Sequence, residues 1–164
     1  MRLATIRRGD TEEAAVALPD GLVPVGQAGG LFADDKIDLL SLLESGRYYE
    51  LKEAYDRGEL LRGRTPSRHP YAPLYRRPRK IWGLGPNYVE HAEELGEVSP
   101  SEEPASFMMP DTTIIGPGDE VVLPAQSERI TAEAELAVII GREAKDVSEG
   151  DAPRWSQGSP QCWT

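Results

Sequence analysis

Cysteine is nearly absent from this chain, and its scarcity excludes a fold stabilised by disulfides. The 164 residues contain one cysteine, Cys162, so no disulfide can form within the chain. Residues 1–10 lack the apolar core of a signal peptide, and no apolar run approaches the roughly 20 residues of a transmembrane helix. We therefore expect a cytoplasmic protein.

Basic residues are also in the minority. Lysine and arginine number 18 against 28 aspartates and glutamates, which gives a formal net charge of −10. Nucleic acid and anionic membrane both attract basic surfaces, so neither is an expected partner. A small anionic substrate would need local help, from a metal ion or from a few arginines.

The first 25 residues predict a small β-meander. Residues 3–8, 14–18 and 22–25 are typical of short strands, and Gly9-Asp10 and Pro19-Asp20-Gly21 supply turns between them. Since 39% of the chain is hydrophobic, enough apolar side chains are present for a genuine core.

Two helices are predicted after the meander. Asp34 and Asp35 can cap the first, whose apolar residues fall within 37–43 and which Gly46 ends. The second is expected from about residue 48 to residue 57.

A linker and a second structural block follow. Prolines interrupt the pattern between residues 62 and 79, which predicts a linker. Residues 80–88 predict a strand that runs into a glycine turn, and a short helix is expected from Val89 to Leu95, closed by Gly96. Residues 97–105, rich in serine, glutamate and proline, are typical of a mobile loop.

Two glutamates stand two residues apart in the apolar segment 130–142. Because side chains alternate along a strand, Glu133 and Glu135 should point to one face. The opposite face, expected to be buried, carries Ala134, Leu136 and Val138. Two carboxylates repel each other unless a cation lies between them, and hard divalent ions prefer carboxylate oxygens. Taken alone, a solvated surface pair is the simpler interpretation.

A histidine and a glutamate share one face of the predicted short helix. His91 and Glu94 are three residues apart, so their side chains lie side by side. A carboxylate beside an imidazole orients the ring and raises its basicity, as removal of a proton from water requires. Taken alone, this pair too is more simply a surface contact.

The order of several motifs is more specific than any one of them. They are Lys80-Ile81-Trp82-Gly83-Leu84-Gly85-Pro86-Asn87-Tyr88-Val89-Glu90-His91, Glu94, Pro104-Ala105-Ser106-Phe107, Ile114-Ile115-Gly116-Pro117-Gly118-Asp119, Val122-Leu123-Pro124, Glu133-Ala134-Glu135-Leu136 and Ile140-Gly141-Arg142. In this order they resemble the fumarylacetoacetate hydrolase superfamily over about residues 71–152. Residues 1–70 look like the variable N-terminal domain of that family.

The resemblance implies an α+β fold, in which a small N-terminal β-meander with helices precedes the first, incomplete part of a mixed β-roll catalytic domain. It implies a metal-dependent enzyme, homodimeric when full-length, that hydrolyses C–C bonds in small anionic 2-oxo or 1,3-diketo acids. Glu133 and Glu135 match two of the three metal carboxylates, with Mg²⁺ the expected ion and Mn²⁺ or Ca²⁺ as alternatives. His91 and Glu94 match the water-activating dyad on a lid helix.

The sequence also departs from the family pattern. Pro86 and Met109-Pro110 stand where members often have an arginine and a lysine-proline, which affects the expected substrate contacts. The family's third metal carboxylate, an aspartate in a strand that begins Gly-aromatic, is missing. Residues 153–164 show neither strand nor helix periodicity, and we interpret them as a frameshifted tail on a truncated chain.

Several functions stay open. Isomerase, decarboxylase, hydratase and lyase members share these motifs. A non-catalytic remnant, binding a ligand or partner through the N-terminal domain, is a second possibility. A poorly folding product is a third, because a β-roll cut after its first strands exposes unpaired edges and apolar faces. We expect no turnover from the 164-residue chain alone.

Overall fold

The computed structural model describes residues 1–33, 36–60, 66–86, 88–98, 100–101, 103–141, 143–155 and 161–163. The strands are β1 (Arg2–Arg8), β2 (Thr11–Leu18), β3 (Gly21–Pro24), β4 (Ile81–Leu84), β5 (Ser106–Met109), β6 (Ala134–Leu136) and β7 (Gln161–Trp163). The α-helices are α1 (Leu39–Glu44), α2 (Arg47–Asp56) and α3 (Val89–Leu95). Short 3₁₀ turns cover Val25–Gln27, Gly30–Phe32, Asp111–Thr113 and Ala152–Trp155. This is a mixed α+β fold with small sheets, which confirms the predicted fold class.

The predicted β-meander is confirmed. The sheet order is β1-β2-β3 and both pairs are antiparallel, with Arg8 opposite Thr11 and Leu18 opposite Gly21 at the turns. Gly9 has a φ of +60°, a backbone conformation that glycine adopts without a steric penalty. Turn chemistry therefore sets the register of this sheet.

Both faces of the meander are covered. One face contributes Ala14 and Val16 to the main core, which the turns and helices complete with Phe32, Leu39, Leu42 and Leu51. The other face buries Ala4, Ile6, Ala15 and Leu22. Full burial of a large apolar side chain stabilises a fold by about 1.5–3 kcal/mol, so the main core is the chief source of stability here. Ile139 also packs against this core, which fixes the segment after β6 to the N-terminal unit.

The start of α1 differs from the prediction. Asp38, and not Asp34 or Asp35, caps the helix, because its side chain accepts a hydrogen bond from the Ser41 amide at 3.0 Å. Asp34 and Asp35 lie outside the described residues. Helix α1 then ends just before Gly46, whose φ of +74° breaks the helical path, as predicted.

The proline-rich segment is not a free linker over residues 66–79, which corrects the prediction there, and residues 62–65 lie outside the described residues. Its described part, residues 66–80, contains no helix or regular strand but is bonded to the meander. Ser67 exchanges two backbone hydrogen bonds with Leu22 on β3, and Tyr71 forms an antiparallel bridge with Ile6 on β1. The segment thus covers part of both free edges of the sheet. Proline predicts the lack of regular structure, but it does not predict this docking.

The second block begins with an antiparallel pair. Trp82 of β4 lies opposite Met108 of β5, and Gly83 lies opposite Phe107. A Cβ atom placed on Gly83 would stand 2.4 Å from the Phe107 ring, so the ring needs a glycine at this position. Further along the chain, β6 pairs with β7 in antiparallel register, with Ala134 opposite Trp163. In the described part of the chain, no helix has the length and apolar character needed to cross a membrane.

Candidate functional site

Helix α3 positions the histidine. The chain turns after β4 and enters the helix at Tyr88, and the left-handed Gly96 (φ +72°) ends it, as the sequence predicts. Ala92 is buried and anchors one side of the helix. Neighbouring residues carry the polar side chains, so α3 presents His91 and Glu94 away from this anchor.

His91 lies between two carboxylates. Its Nδ1 is 3.8 Å from Oε2 of Glu94, and its Nε2 is 3.3 Å from Oε1 of Glu133. The His91 side chain is 34% exposed, that of Glu133 is 43% exposed and that of Glu94 is 78% exposed. The helical spacing predicts the first contact. The second joins residues far apart in sequence, and sequence reasoning missed it.

Glu133 and Glu135 lie in a segment whose exposure alternates. Glu133, Glu135, Ala137 and Ile139 are half-buried, whereas the residues between them are exposed. This alternation places both glutamates on one face, the face that also directs Ile139 towards the main core. The regular strand is shorter than the predicted segment 130–142, since β6 covers only Ala134–Leu136.

The opposite face of this segment is not buried, which corrects the prediction. Leu136, Val138 and Ile140 are 59%, 55% and 61% exposed. An alternating apolar pattern identifies a face that can be buried, but burial also requires a second layer packed on it. The described residues place no such layer over these three side chains.

The described residues do not complete a metal site. No group of three or more histidine, cysteine, aspartate or glutamate side chains among them is arranged to hold a metal ion. Mg²⁺ takes about six oxygen ligands in an octahedral arrangement and needs carboxylates to anchor it. Glu133 and Glu135 supply two such groups on one face, and Glu133 already contacts His91.

Other charged clusters have structural explanations. Arg76 makes two hydrogen bonds to Glu12, at 2.8 and 3.1 Å, and its guanidinium holds the pKa of Glu12 below the ordinary value. This pair fastens the proline-rich segment to β2. Glu13 is buried and paired with Arg8 at 2.9 Å. The second histidine, His69, contacts the Ser67 hydroxyl at 2.7 Å within the same docked segment.

Comparison with known proteins identifies the second block. Residues 80–155 match the family model described as fumarylacetoacetate (FAA) hydrolase C-terminal. An uncharacterized protein of Pyrococcus horikoshii is 46% identical over 89 residues, which are 54% of this chain and 37% of that protein. The human mitochondrial oxaloacetate tautomerase FAHD2A is 45% identical over 76 residues, which are 46% of this chain and 24% of that protein.

Solved structures share the fold over nearly the whole chain. A putative HpcE protein from Mycobacterium smegmatis superposes with a TM-score of 0.77 at 25% identity, covering 99% of this chain and 54% of its own. Maleylpyruvate hydrolase from Sphingobium sp. SYK-6, solved with manganese(II) ion and pyruvate, gives 0.69 at 24% identity, covering 99% of this chain and 58% of its own. At that identity the second likeness supports the fold alone.

The chain spans only part of these proteins. It covers 37% of the Pyrococcus relative, 24% of the human relative and little more than half of the solved structures. The family match nevertheless contains His91, Glu94, Glu133 and Glu135. In their motifs, in the matching family model and in the shared fold, residues 80–155 of this chain are similar to the fumarylacetoacetate hydrolase family.

Proposed function

We propose that this chain carries the water-activating part of a metal-dependent hydrolase that cleaves C–C bonds in small 2-oxo or 1,3-diketo acids. The observation that carries the proposal is the position of His91, with Glu94 near one ring nitrogen and Glu133 near the other. A carboxylate at one ring nitrogen orients a histidine and raises its basicity, which favours general-base catalysis through the other nitrogen near neutral pH.

In the proposed reaction, His91 removes a proton from a water molecule. The resulting hydroxide attacks the carbonyl carbon at one end of the bond to be broken. That C–C bond then breaks and its electron pair passes to the 2-oxo acid fragment as an enolate. The proton that His91 took from water then passes to the enolate carbon, which gives the 2-oxo acid and returns His91 to its starting form. Glu94 orients His91. Its 3.8 Å separation from the ring is long for a hydrogen bond, but such contacts often tighten only when substrate binds.

A divalent ion would supply charge stabilisation in the complete domain. Glu133 and Glu135 are the proposed donors, and Mg²⁺ or Mn²⁺ is the proposed ion. Since the described residues provide no third donor group, the remaining ligands would be water or groups beyond them. For this reason we propose that the 164-residue chain alone has no turnover. A homodimeric full-length enzyme and a cytoplasmic location stay predictions.

Isomerisation is the second candidate. One relative, 45% identical, is an oxaloacetate tautomerase, and moving a proton between carbon and oxygen also needs a general base. The two reactions differ in their products, because hydrolysis consumes water and releases two acids whereas tautomerisation releases none.

The test uses this chain completed in cis with the part of the Pyrococcus relative that follows its matched 89 residues. The completed protein is assayed with acylpyruvates and with oxaloacetate, in Mg²⁺ and in Mn²⁺. We expect hydrolysis of acylpyruvates, and an about 10²- to 10⁴-fold loss of kcat in His91→Ala and Glu94→Gln, which is the usual contribution of general-base catalysis.

Glu93→Gln is the matched control, because its carboxylate is exposed and adjacent to Glu94 in sequence. It should keep kcat within about twofold. Wild-type kcat in His91→Ala would contradict the dyad. Turnover of oxaloacetate tautomers without acylpyruvate cleavage would replace the hydrolase with the second candidate.

A further inference from the structure

A cavity of about 350 Å³ lies where the proline-rich segment docks on the N-terminal meander. Arg2 of β1 lines it, together with the turn before β3 and with Arg68 and Tyr71 of the docked segment. Small-molecule sites in proteins have volumes of about 300–1,000 Å³, so this cavity has room for a small ligand. It shares no described residue with the His91 site.

The floor of the cavity is apolar. Arg2 lies opposite Ala17, and Ala17 lies opposite Leu22, so these three side chains share one face of the sheet. Leu22 is buried in the second core, and Ala17 packs against that core. Arg2 therefore stands at the rim of the second core, and the apolar side chains beside it offer a ligand a surface to cover.

Backbone contacts fix the wall that carries Arg68. Its neighbour Ser67 exchanges two backbone hydrogen bonds with Leu22, at 2.9 and 3.0 Å. A Cβ atom on Gly21 would stand 3.0 Å from atoms of Pro66 and Ser67, so the turn before β3 lies in close contact with the docked segment. The cavity is thus formed before a ligand arrives, which lowers the entropic cost of binding.

The two arginines of the rim have no acidic partner. Within the described part of the chain, neither Arg2 nor Arg68 forms an ion pair, although acidic residues outnumber basic ones overall. Asp20 also lines the cavity, so two positive charges there face one negative charge. A guanidinium presents paired N–H donors that match the two oxygens of a carboxylate. The charge balance of the rim therefore suits a ligand with a single carboxylate.

A larger cavity, of about 470 Å³, lies at the β1–β2 turn and is a poorer candidate. Its arginines are Arg7 and Arg76, and Glu12 lies 3.6 Å from the first and 2.8 Å from the second. A bound anion would have to compete with this carboxylate for both guanidinium groups. The positive charge of that cavity is already compensated, whereas the charge of Arg2 and Arg68 is not.

We propose that the cavity lined by Arg2 and Arg68, which we call the Arg2–Arg68 site, binds a small organic monocarboxylate with an apolar body. The carboxylate accepts hydrogen bonds from the two guanidinium groups, and the apolar body covers Ala17. Tyr71 adds an aromatic ring and a hydroxyl to the rim. The site is separate from His91, so the inference goes beyond the proposed function and does not depend on it.

Calorimetric titration of the full 164-residue chain with benzoate tests the site. We expect saturable 1:1 binding with a Kd below about 1 mM, and weaker binding as salt is added. Benzamide is a neutral isostere and inorganic phosphate has no apolar body, so each should bind at least about tenfold more weakly. Benzamide that binds as well as benzoate would overturn the role of the arginines. Phosphate that binds as well would overturn the role of the apolar floor.

Variants locate the bound benzoate. Arg2→Gln and Arg68→Gln should each weaken binding by about tenfold or more, because each removes a charge-assisted hydrogen bond. Arg77→Gln is the matched control, since it removes the same charge from an exposed residue of the docked segment that does not line the cavity. It should leave the affinity within about twofold.

The folded state should tolerate all three substitutions. Arg2, Arg68 and Arg77 are exposed, so the thermal unfolding of each variant should match that of the parent chain. Absence of saturable benzoate binding overturns the inference. An equal loss of affinity in Arg77→Gln also overturns it, because the binding would then follow the general charge of the segment and not the cavity.

Discussion

His91 Nε2 and Glu133 Oε1 lie 3.3 Å apart, and this contact joins helix α3 to the segment that leads into β6. We predict that Glu133→Ala loosens α3, because the helix loses its side-chain connection to that segment. Hydrogen exchange of the α3 amides should accelerate by about twofold to fivefold, the effect of losing a partly exposed side-chain contact worth about 0.5–1 kcal/mol.

Glu135→Ala is the control for this measurement. Glu135 lies on the same face, two residues from Glu133. Within the described part of the chain, the salt-bridge contact to His91 in this segment comes from Glu133 and not from Glu135. Exchange in α3 should stay at the parent rate in this variant. Equal acceleration in both variants would show that general loss of charge, and not the His91 contact, controls the helix.

Metal binding by the 164-residue chain should be weak. Glu133 and Glu135 are the two carboxylates available on one face, and the described residues offer no group of three donors. Mg²⁺ would then depend chiefly on water for its coordination. Calorimetry should give a dissociation constant well above 1 μM (about 8 kcal/mol of binding free energy or less). Submicromolar Mg²⁺ binding would refute this expectation.

The cap of α1 gives a pH-dependent prediction. Burial alone would raise the pKa of Asp38, but hydrogen bonds from the Ser41 hydroxyl and from the amides of Ser41 and Leu40 hold it below its ordinary value. Because the pKa of Asp38 is lower in the folded state than in the unfolded state, its carboxylate stabilises the fold at pH values above the unfolded-state pKa. This stabilisation is lost as the pH falls through the folded-state pKa. Asp38→Ala should cost about 1 kcal/mol at neutral pH.

Chemical denaturation between pH 7 and pH 3 tests this cap. The stability difference between the parent and Asp38→Ala should shrink at the acid end. Asp38→Asn keeps a capping oxygen without a titrating group, so its advantage over Asp38→Ala should not depend on the pH. A parent–alanine difference that is constant down to pH 3 would exclude the charged cap.

Local signals in the sequence predict much of this fold. Turn residues and alternation predict the meander, and Gly46 and Gly96 mark helix ends correctly, because these features depend on neighbouring residues alone. The N-cap prediction failed because Asp34, Asp35 and Asp38 all have capping side chains. Leu39 and Leu42 follow Asp38 and pack into the core, so tertiary packing favours a helix that begins after Asp38.

The sequence predicts those parts of the candidate site that join residues close together along the chain. Helical spacing pairs His91 with Glu94, and strand periodicity puts Glu133 and Glu135 on one face. The His91–Glu133 contact was not predictable from spacing, because it requires the tertiary path between α3 and β6. Burial of Leu136 and Val138 was wrongly predicted for a related reason, since periodicity reports which side chains share a face and not what covers that face.

The last prediction concerns residues 153–164, which we propose to be a displaced reading of the family's next strand. Tryptophan has the single codon TGG, so the last base of Trp163 and the first two of Thr164 give GAC, which encodes aspartate. The same displaced frame gives leucine across Cys162-Trp163, methionine or valine across Gln161-Cys162, and small residues at the two junctions before it. Further upstream, the displaced frame allows glycine across Gln157-Gly158. It also allows phenylalanine across Gly158-Ser159 if Ser159 has a TCN codon.

The recovered string, Val-(small)-Gly-Phe-(small)-(small)-Val-Leu-Asp, contains the Gly-aromatic start and the aspartate that the family pattern requires. In the structure, β7 (Gln161–Trp163) pairs with the strand that holds Glu135, so an aspartate at the end of such a strand would lie beside the carboxylates it is meant to join. Resequencing the DNA through codons 148 to 170, a window chosen to bracket residues 153–164, tests the proposal. We expect the displaced frame to stay open and to continue with further strand-forming sequence. A stop codon in that frame shortly after the aspartate would rule it out, because no family strand could then follow.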